Sequence, residues 1–111
     1  MAVYVTQDTG RINLMPATRY GGLHILTHRD CPIGKTQEFI TKIAHELSNF
    51  DPNTDYLVLV GDPVLIGVCV AIVAGRWDRL TVLKWDRQEF CYIPIPLVFG
   101  GNPPREENNN G

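Results

Sequence analysis

The sequence predicts an α/β sandwich: a mixed, mostly parallel sheet, two main helices and a C-terminal β-hairpin. Three observations carry this. Tyr56-Leu57-Val58-Leu59-Val60 runs straight into Gly61-Asp62-Pro63 and then into an apolar stretch from Val64 to Ala74, closed by Gly75. That is the grammar of a buried strand, a sharp turn and a helix. Upstream, Phe39, Ile40, Ile43, Ala44, Leu47 and Phe50 recur at helical spacing, with Gln37, Glu38, Lys42, His45, Glu46 and Asn49 on the other face. Downstream, Leu80–Trp85 and Phe90–Ile93 are two strand-like runs joined by Asp86-Arg87-Gln88-Glu89.

In chain order, Val3-Tyr4-Val5-Thr6 reads as a first strand, ended by Gln7-Asp8-Thr9-Gly10. Met15 to Tyr20 can make one helical turn before Gly21-Gly22, and Leu23-His24-Ile25-Leu26-Thr27 is a second strand. His28 to Lys35 is a polar loop, and the amphipathic helix begins near Thr36. Asp51-Pro52-Asn53-Thr54 breaks that helix ahead of the central strand. In the second helix Asp62 is a suitable N-cap, Pro63 suits the first position because it lacks an N–H, and Gly75 suits the far end. Pro94 and Pro96 cannot donate ladder hydrogen bonds, so the last strand is expected at a sheet edge and is expected to stop there. Helices between strands favour parallel pairing with right-handed crossovers, which makes the whole a small Rossmann-like sandwich.

With 111 residues the chain holds one domain, read as residues 1–98. Residues 99–111 read as a disordered polar tail, since Gly100 to Gly111 is rich in Pro, Glu and Asn without apolar periodicity. A formal net charge of −2 leaves no domain-wide basic field, which makes nucleic acid an unfavoured partner. Cys31, Cys69 and Cys91 are odd in number and far apart. That pattern argues against a disulfide scaffold or zinc site and for a reducing, cytoplasmic setting. Met1-Ala2-Val3-Tyr4-Val5 lacks the start of a signal peptide, and the Val64–Ala74 run is about half of the roughly 20 residues that span a bilayer. No membrane role, metal or cofactor is expected.

Several motifs invite chemistry. Gly34-Lys35-Thr36 lies between a strand and a helix, as in a phosphate loop, but Arg29 stands where that motif needs its first glycine and Pro32 removes an N–H. In open parallel sheets ligands gather at the carboxyl ends of strands. Here those ends carry Thr6, Gln7, Asp8 and Arg11, then Thr27, His28, Arg29 and Asp30, then Gly61 and Asp62. A nucleotide or phosphate ligand would take Thr6, Arg11, Arg29 and Asp62 as its polar contacts. Capping of the helix by Asp62 competes with that reading, because the cap uses the same N–H groups and its charge repels phosphate.

Two surfaces point instead to protein contact. A helix apolar all round needs cover on every side. Gly67, Ala71 and Ala74 (or Gly75) also form a small-residue stripe, which either packs on the sheet or admits another backbone. Leu65, Val68 and Ile72 are the residues expected to self-associate, in a homodimer. At the hairpin, Trp77, Lys84, Trp85, Arg87 and Tyr92 combine the aromatic and basic side chains that anchor interfaces, or else cover the sheet and pair across strands.

Tyr56 to Pro63 with Ile66-Gly67, then Leu83 to Gln88 with Tyr92-Ile93-Pro94, and Tyr20-Gly21 before the second strand, resemble a group of short α/β proteins of tailed bacteriophages whose function is not established. The resemblance covers roughly residues 3 to 95. It implies origin in a phage genome and action in the bacterial cytoplasm, and it carries no site residues to transfer. The leading expectation is a non-enzymatic phage accessory protein that binds itself, or a host or viral protein. The alternative is a small nucleotide- or phosphate-binding protein.

Overall fold

A computed structural model describes residues 1–100 of the chain. Five strands form one sheet: β1 (Ala2–Val5), β2 (Gly22–Ile25), β3 (Tyr56–Val58), β4 (Arg79–Asp86) and β5 (Cys91–Val98). Their order is β2-β1-β3-β4-β5, parallel except for the antiparallel β4–β5 pair. A 3-10 helix (Met15–Tyr20) links β1 to β2, α1 (Thr36–Glu46) links β2 to β3, and α2 (Pro63–Trp77) links β3 to β4. The mixed sheet, the two helices and the terminal hairpin are as the sequence predicts.

Strand alternation divides the core in two. Tyr4, Leu57, Leu80 and Val82 face the helices and pack with Ile43 of α1, with Leu47 at its C-cap, and with Leu65, Cys69 and Val73 of α2. Val3, Val5, Val58 and Leu83 face the other way, onto Leu14 and Ala17 around the 3-10 helix. Both long helices therefore lie on one face, and the thinner connection covers the other. Asp55 fastens the amino ends of the strands: its buried carboxylate accepts from the N–H of Ala2 at 2.8 Å and of Asp51 at 2.8 Å.

Two local expectations need correction. Gly75 does not end α2. The helix runs to Trp77, and Asp78, at φ 61°, supplies the left-handed residue and donates its N–H to Ala74 O. Asp tolerates that conformation. The extra turn is held by packing: the Trp77 ring lies 5.9 Å from Phe50, and Arg76 donates from both terminal nitrogens to Leu47 O and Ala44 O, each at 3.0 Å. Those carbonyls lie at the C-terminal end of α1, so one guanidinium caps one helix and ties it to the other.

The second correction is β5, which passes through Pro94 and Pro96 to Val98. It is an edge strand, as expected. Both prolines pair in register with alternate residues of β4, Leu83 and Thr81, so the missing N–H groups fall on one side of the strand. A free edge tolerates this, and the same edge is poor at recruiting another strand. Of the two readings of the small-residue stripe of α2, packing on the sheet does not hold. Gly67, Ala71 and Gly75 face outward, while Leu65, Cys69 and Val73 carry the contact with the sheet. Beyond β5, the N–H groups of Phe99 and Gly100 both donate to Asp78 O. The tail expectation for residues 101–111 lies outside the described residues.

Candidate functional site

The β1→β2 connection crosses one face of the sheet and the β3→β4 connection the other, which makes the carboxyl ends of β1 and β3 the topological switch point. Side chains of this protein fill that position. The buried Thr6 hydroxyl donates to Val60 O and accepts from Val60 N–H at 2.8 Å, tying the end of β1 to the chain leaving β3. Gln7 Oε1 accepts from Asp62 N–H at 2.8 Å, and its Nε2 donates to Asp30 Oδ1 at 2.8 Å. Asp62 is the N-cap of α2, accepting from Val64 N–H on Oδ1, and on Oδ2 it accepts from Cys31 N–H at 2.9 Å. Gly61, at φ 100°, is required here, because a Cβ would lie 2.0 Å from Gln7 Oε1.

The four residues expected at a nucleotide or phosphate site are thus distributed over three places. Thr6 and Asp62 belong to the switch-point network. Arg29 lines a shallow cleft of about 320 Å³ beside the start of α1, with Lys35, Lys42, Asp30 and Glu38. Arg11 lines a different cleft. Gln7 and Asp30 emerge as the organisers of the switch point. Sequence marked them only as polar residues at strand ends, since their roles depend on a contact between two distant loops.

The cleft at Arg11 is the larger, about 640 Å³. It forms because β3 stops pairing at Val58, opposite Leu83, while β4 and β5 run three residues further, to Asp86 and Cys91. Val58, Val60, Leu83 and Tyr92 from one core and Val82 and Ile95 from the other side of the sheet contribute to its lining. Ile12, Leu59 and Trp85 are its more exposed apolar members.

The expected protein-contact residues also separate. Tyr92 is buried, its carbonyl accepting from the Tyr20 hydroxyl at 2.8 Å, and burial raises its phenol pKa. Trp85 leans edge-on against Tyr92 with ring centroids 5.0 Å apart and stays 39% exposed. Lys84 and Arg87 lie toward the hairpin end with the 76% exposed Phe90, whereas Trp77 packs in the helix layer. Of the three residues expected to self-associate, Leu65 is fully buried on the sheet, and Val68 and Ile72 are half-buried. The outward stripe of α2 is instead Val64, Gly67, Ala71 and Gly75.

Burial alone pushes the Cys69 thiol to about 12, so it is chemically quiet. Burial, then the charges of Asp55 and Glu46, raises the Tyr4 pKa. Tyr4 stacks on His24, 4.7 Å between centroids, and His24 Nε2 meets Glu46 Oε1 at 3.1 Å. Among the described residues no group of three His, Cys, Asp or Glu side chains is placed to hold a metal ion, and no helix is long and apolar enough to cross a membrane.

Fold and surfaces together define a small open α/β sheet in the order 2-1-3-4-5, with its last strand reversed and its switch point closed by its own side chains. The family comparison is specific. The chain belongs to the Phage Pam3 gp32-like protein family, whose model matches residues 1–99. No curated protein and no solved structure matches it.

Proposed function

We propose that this phage protein acts by binding a second copy of itself through the outer face of α2, in the cytoplasm of the host. The observation that supports this is the composition of that face. From Val64, which is 59% exposed, through Gly67 and Ala71 to Gly75, the outward stripe carries no polar side chain. Outward helix faces of monomeric domains are ordinarily polar. Half-buried Val68 widens the apolar band, and the only charge in the helix, on Arg76, is directed at α1.

Spacing adds to the argument. Gly67, Ala71 and Gly75 stand four residues apart, so two such helices can approach backbone to backbone, and a two-fold axis through Ala71 makes the patch self-complementary. The net charge of −2 is small enough to permit close approach of two copies. Three unpaired cysteines fit a reducing compartment. The nucleotide or phosphate reading has less support, because the polar atoms of Thr6 and Asp62 are engaged internally and Arg11 and Arg29 line different clefts.

Light scattering over a dilution series tests the proposal. Wild type is expected at twice the monomer mass, dissociating as concentration falls. Ala71→Arg, which buries a charge at the centre of the contact, is expected to be monomeric with unchanged circular dichroism. A monomeric wild type at every concentration overturns the proposal.

A further inference from the structure

The cleft at the end of β3 carries chemistry that self-association does not use. Its volume of about 640 Å³ lies within the range of small-molecule sites. It sits at the carboxyl end of a parallel sheet, where ligands of such folds are held. The displaced position is explained by the switch point: Gln7 fills the crevice between β1 and β3, and the next opening along the sheet is between β3 and β4.

The lining states what fits. Val58, Val60 and Leu83 offer branched aliphatic surface, and Trp85 offers an aromatic ring that its edge-on contact with Tyr92 fixes in place. Arg11 and Lys84 belong to the lining, Lys84 from the side of β4 opposite Leu83 and Trp85, and no carboxylate does. Among the described residues neither cationic side chain has an ion-pair or hydrogen-bond partner. An apolar cavity with uncompensated positive charge at its rim is complementary to a ligand of apolar body and negative head. We propose that this cleft binds a small aromatic acid, with the ring against Trp85 and Leu83 and the acidic group at Arg11.

The probe is anilinonaphthalene sulfonate, an aromatic ring system with one anionic group, and its control is the uncharged N-phenyl-1-naphthylamine. Trp77→Phe leaves Trp85 as the single tryptophan, so energy transfer from Trp85 reports a bound probe, and the rim variants assign that probe to this cleft. Saturable one-to-one binding is expected. Arg11→Gln is expected to weaken the sulfonate about tenfold while changing the neutral control less than about twofold, the loss of one charge-assisted contact, and Lys84→Gln is expected to change neither probe by more than about twofold. Ile12→Glu, at a 48% exposed position on the rim, is expected to abolish binding of the sulfonate without unfolding the protein. Ala71→Arg is expected to leave binding unchanged, which separates this site from the α2 face. Absence of saturable transfer from Trp85, wild-type binding by Ile12→Glu, or equal losses of the two probes in Arg11→Gln overturns the proposal.

Discussion

Replacing Gly61 by alanine strikes the contact that closes the switch point. The new Cβ would lie 2.0 Å from Gln7 Oε1 and 2.7 Å from both Gln7 Cβ and Cδ, so the whole Gln7 side chain must leave. With it go the bond from Asp62 N–H and the bond to Asp30 Oδ1. The first is worth about 1 kcal/mol and the second, to a charged group, about 1.5 kcal/mol or more. Holding alanine at φ 100° adds roughly 1–2 kcal/mol of backbone strain. The sum is about 4 kcal/mol, a large part of the 5–15 kcal/mol that holds an ordinary domain together. Urea unfolding followed by tryptophan fluorescence measures it. Gln7→Gly removes the obstructing side chain, so Gly61→Ala in that background is expected to cost only the backbone strain, a coupling of about 2 kcal/mol. A Gly61→Ala cost under about 1 kcal/mol, or strict additivity with Gln7→Gly, refutes the closed switch point.

Arg76→Ala is expected to destabilise the fold by about 2 kcal/mol, because two carbonyls at the end of α1 lose their donor, and Arg76→Lys is expected to recover only part of this in the same urea assay. Cys69 gives a pH dependence of definite sign. Its folded pKa of about 12 exceeds the ordinary 9.0, so the unfolded chain releases this proton first. The stabilisation is complete below pH 9 and is lost as pH rises toward 12, about 3 kcal/mol of it by pH 11. The raised Tyr4 and Tyr92 pKa values act in the same direction above pH 10. Urea midpoints between pH 8 and pH 11 are expected to fall less steeply in Cys69→Ala than in wild type, and parallel slopes would contradict this assignment. Thiol titration of the native protein is expected to modify Cys31 and Cys91, both half-buried, well before Cys69.

Much of the architecture was legible because it is written in local chemistry. Asp62-Pro63 announces the start of α2, Phe39 to Phe50 announces a one-sided helix, and Pro94 and Pro96 mark an edge. What sequence missed depends on tertiary partners. The end of α2 is set by Trp77 meeting Phe50 and by Arg76 reaching α1, contacts across 27 or more residues that no capping rule contains. The outward direction of Gly67, Ala71 and Gly75 was unreadable because a helix apolar on every side has no periodicity to orient it. The cleft at β3 was invisible for a related reason: it arises from the unequal reach of β3 and β4, and strand ends are the least readable part of a pattern. Thr6 and Asp62 lay at the strand ends as expected, yet their partners, Val60 and Cys31, come from segments 54 and 31 residues away.

Cross-linking at Ala71 tests the self-association through α2 most directly. In a background of Cys31→Ser and Cys91→Ser, with the buried Cys69 left in place, Ala71→Cys is treated with a short bismaleimide. Thr41→Cys, on the exposed side of α1, is the control. A two-fold contact centred on α2 predicts rapid formation of covalent dimer at position 71, falling on dilution as the dimer dissociates, and little at position 41. Equal or negligible dimer at the two positions would contradict it.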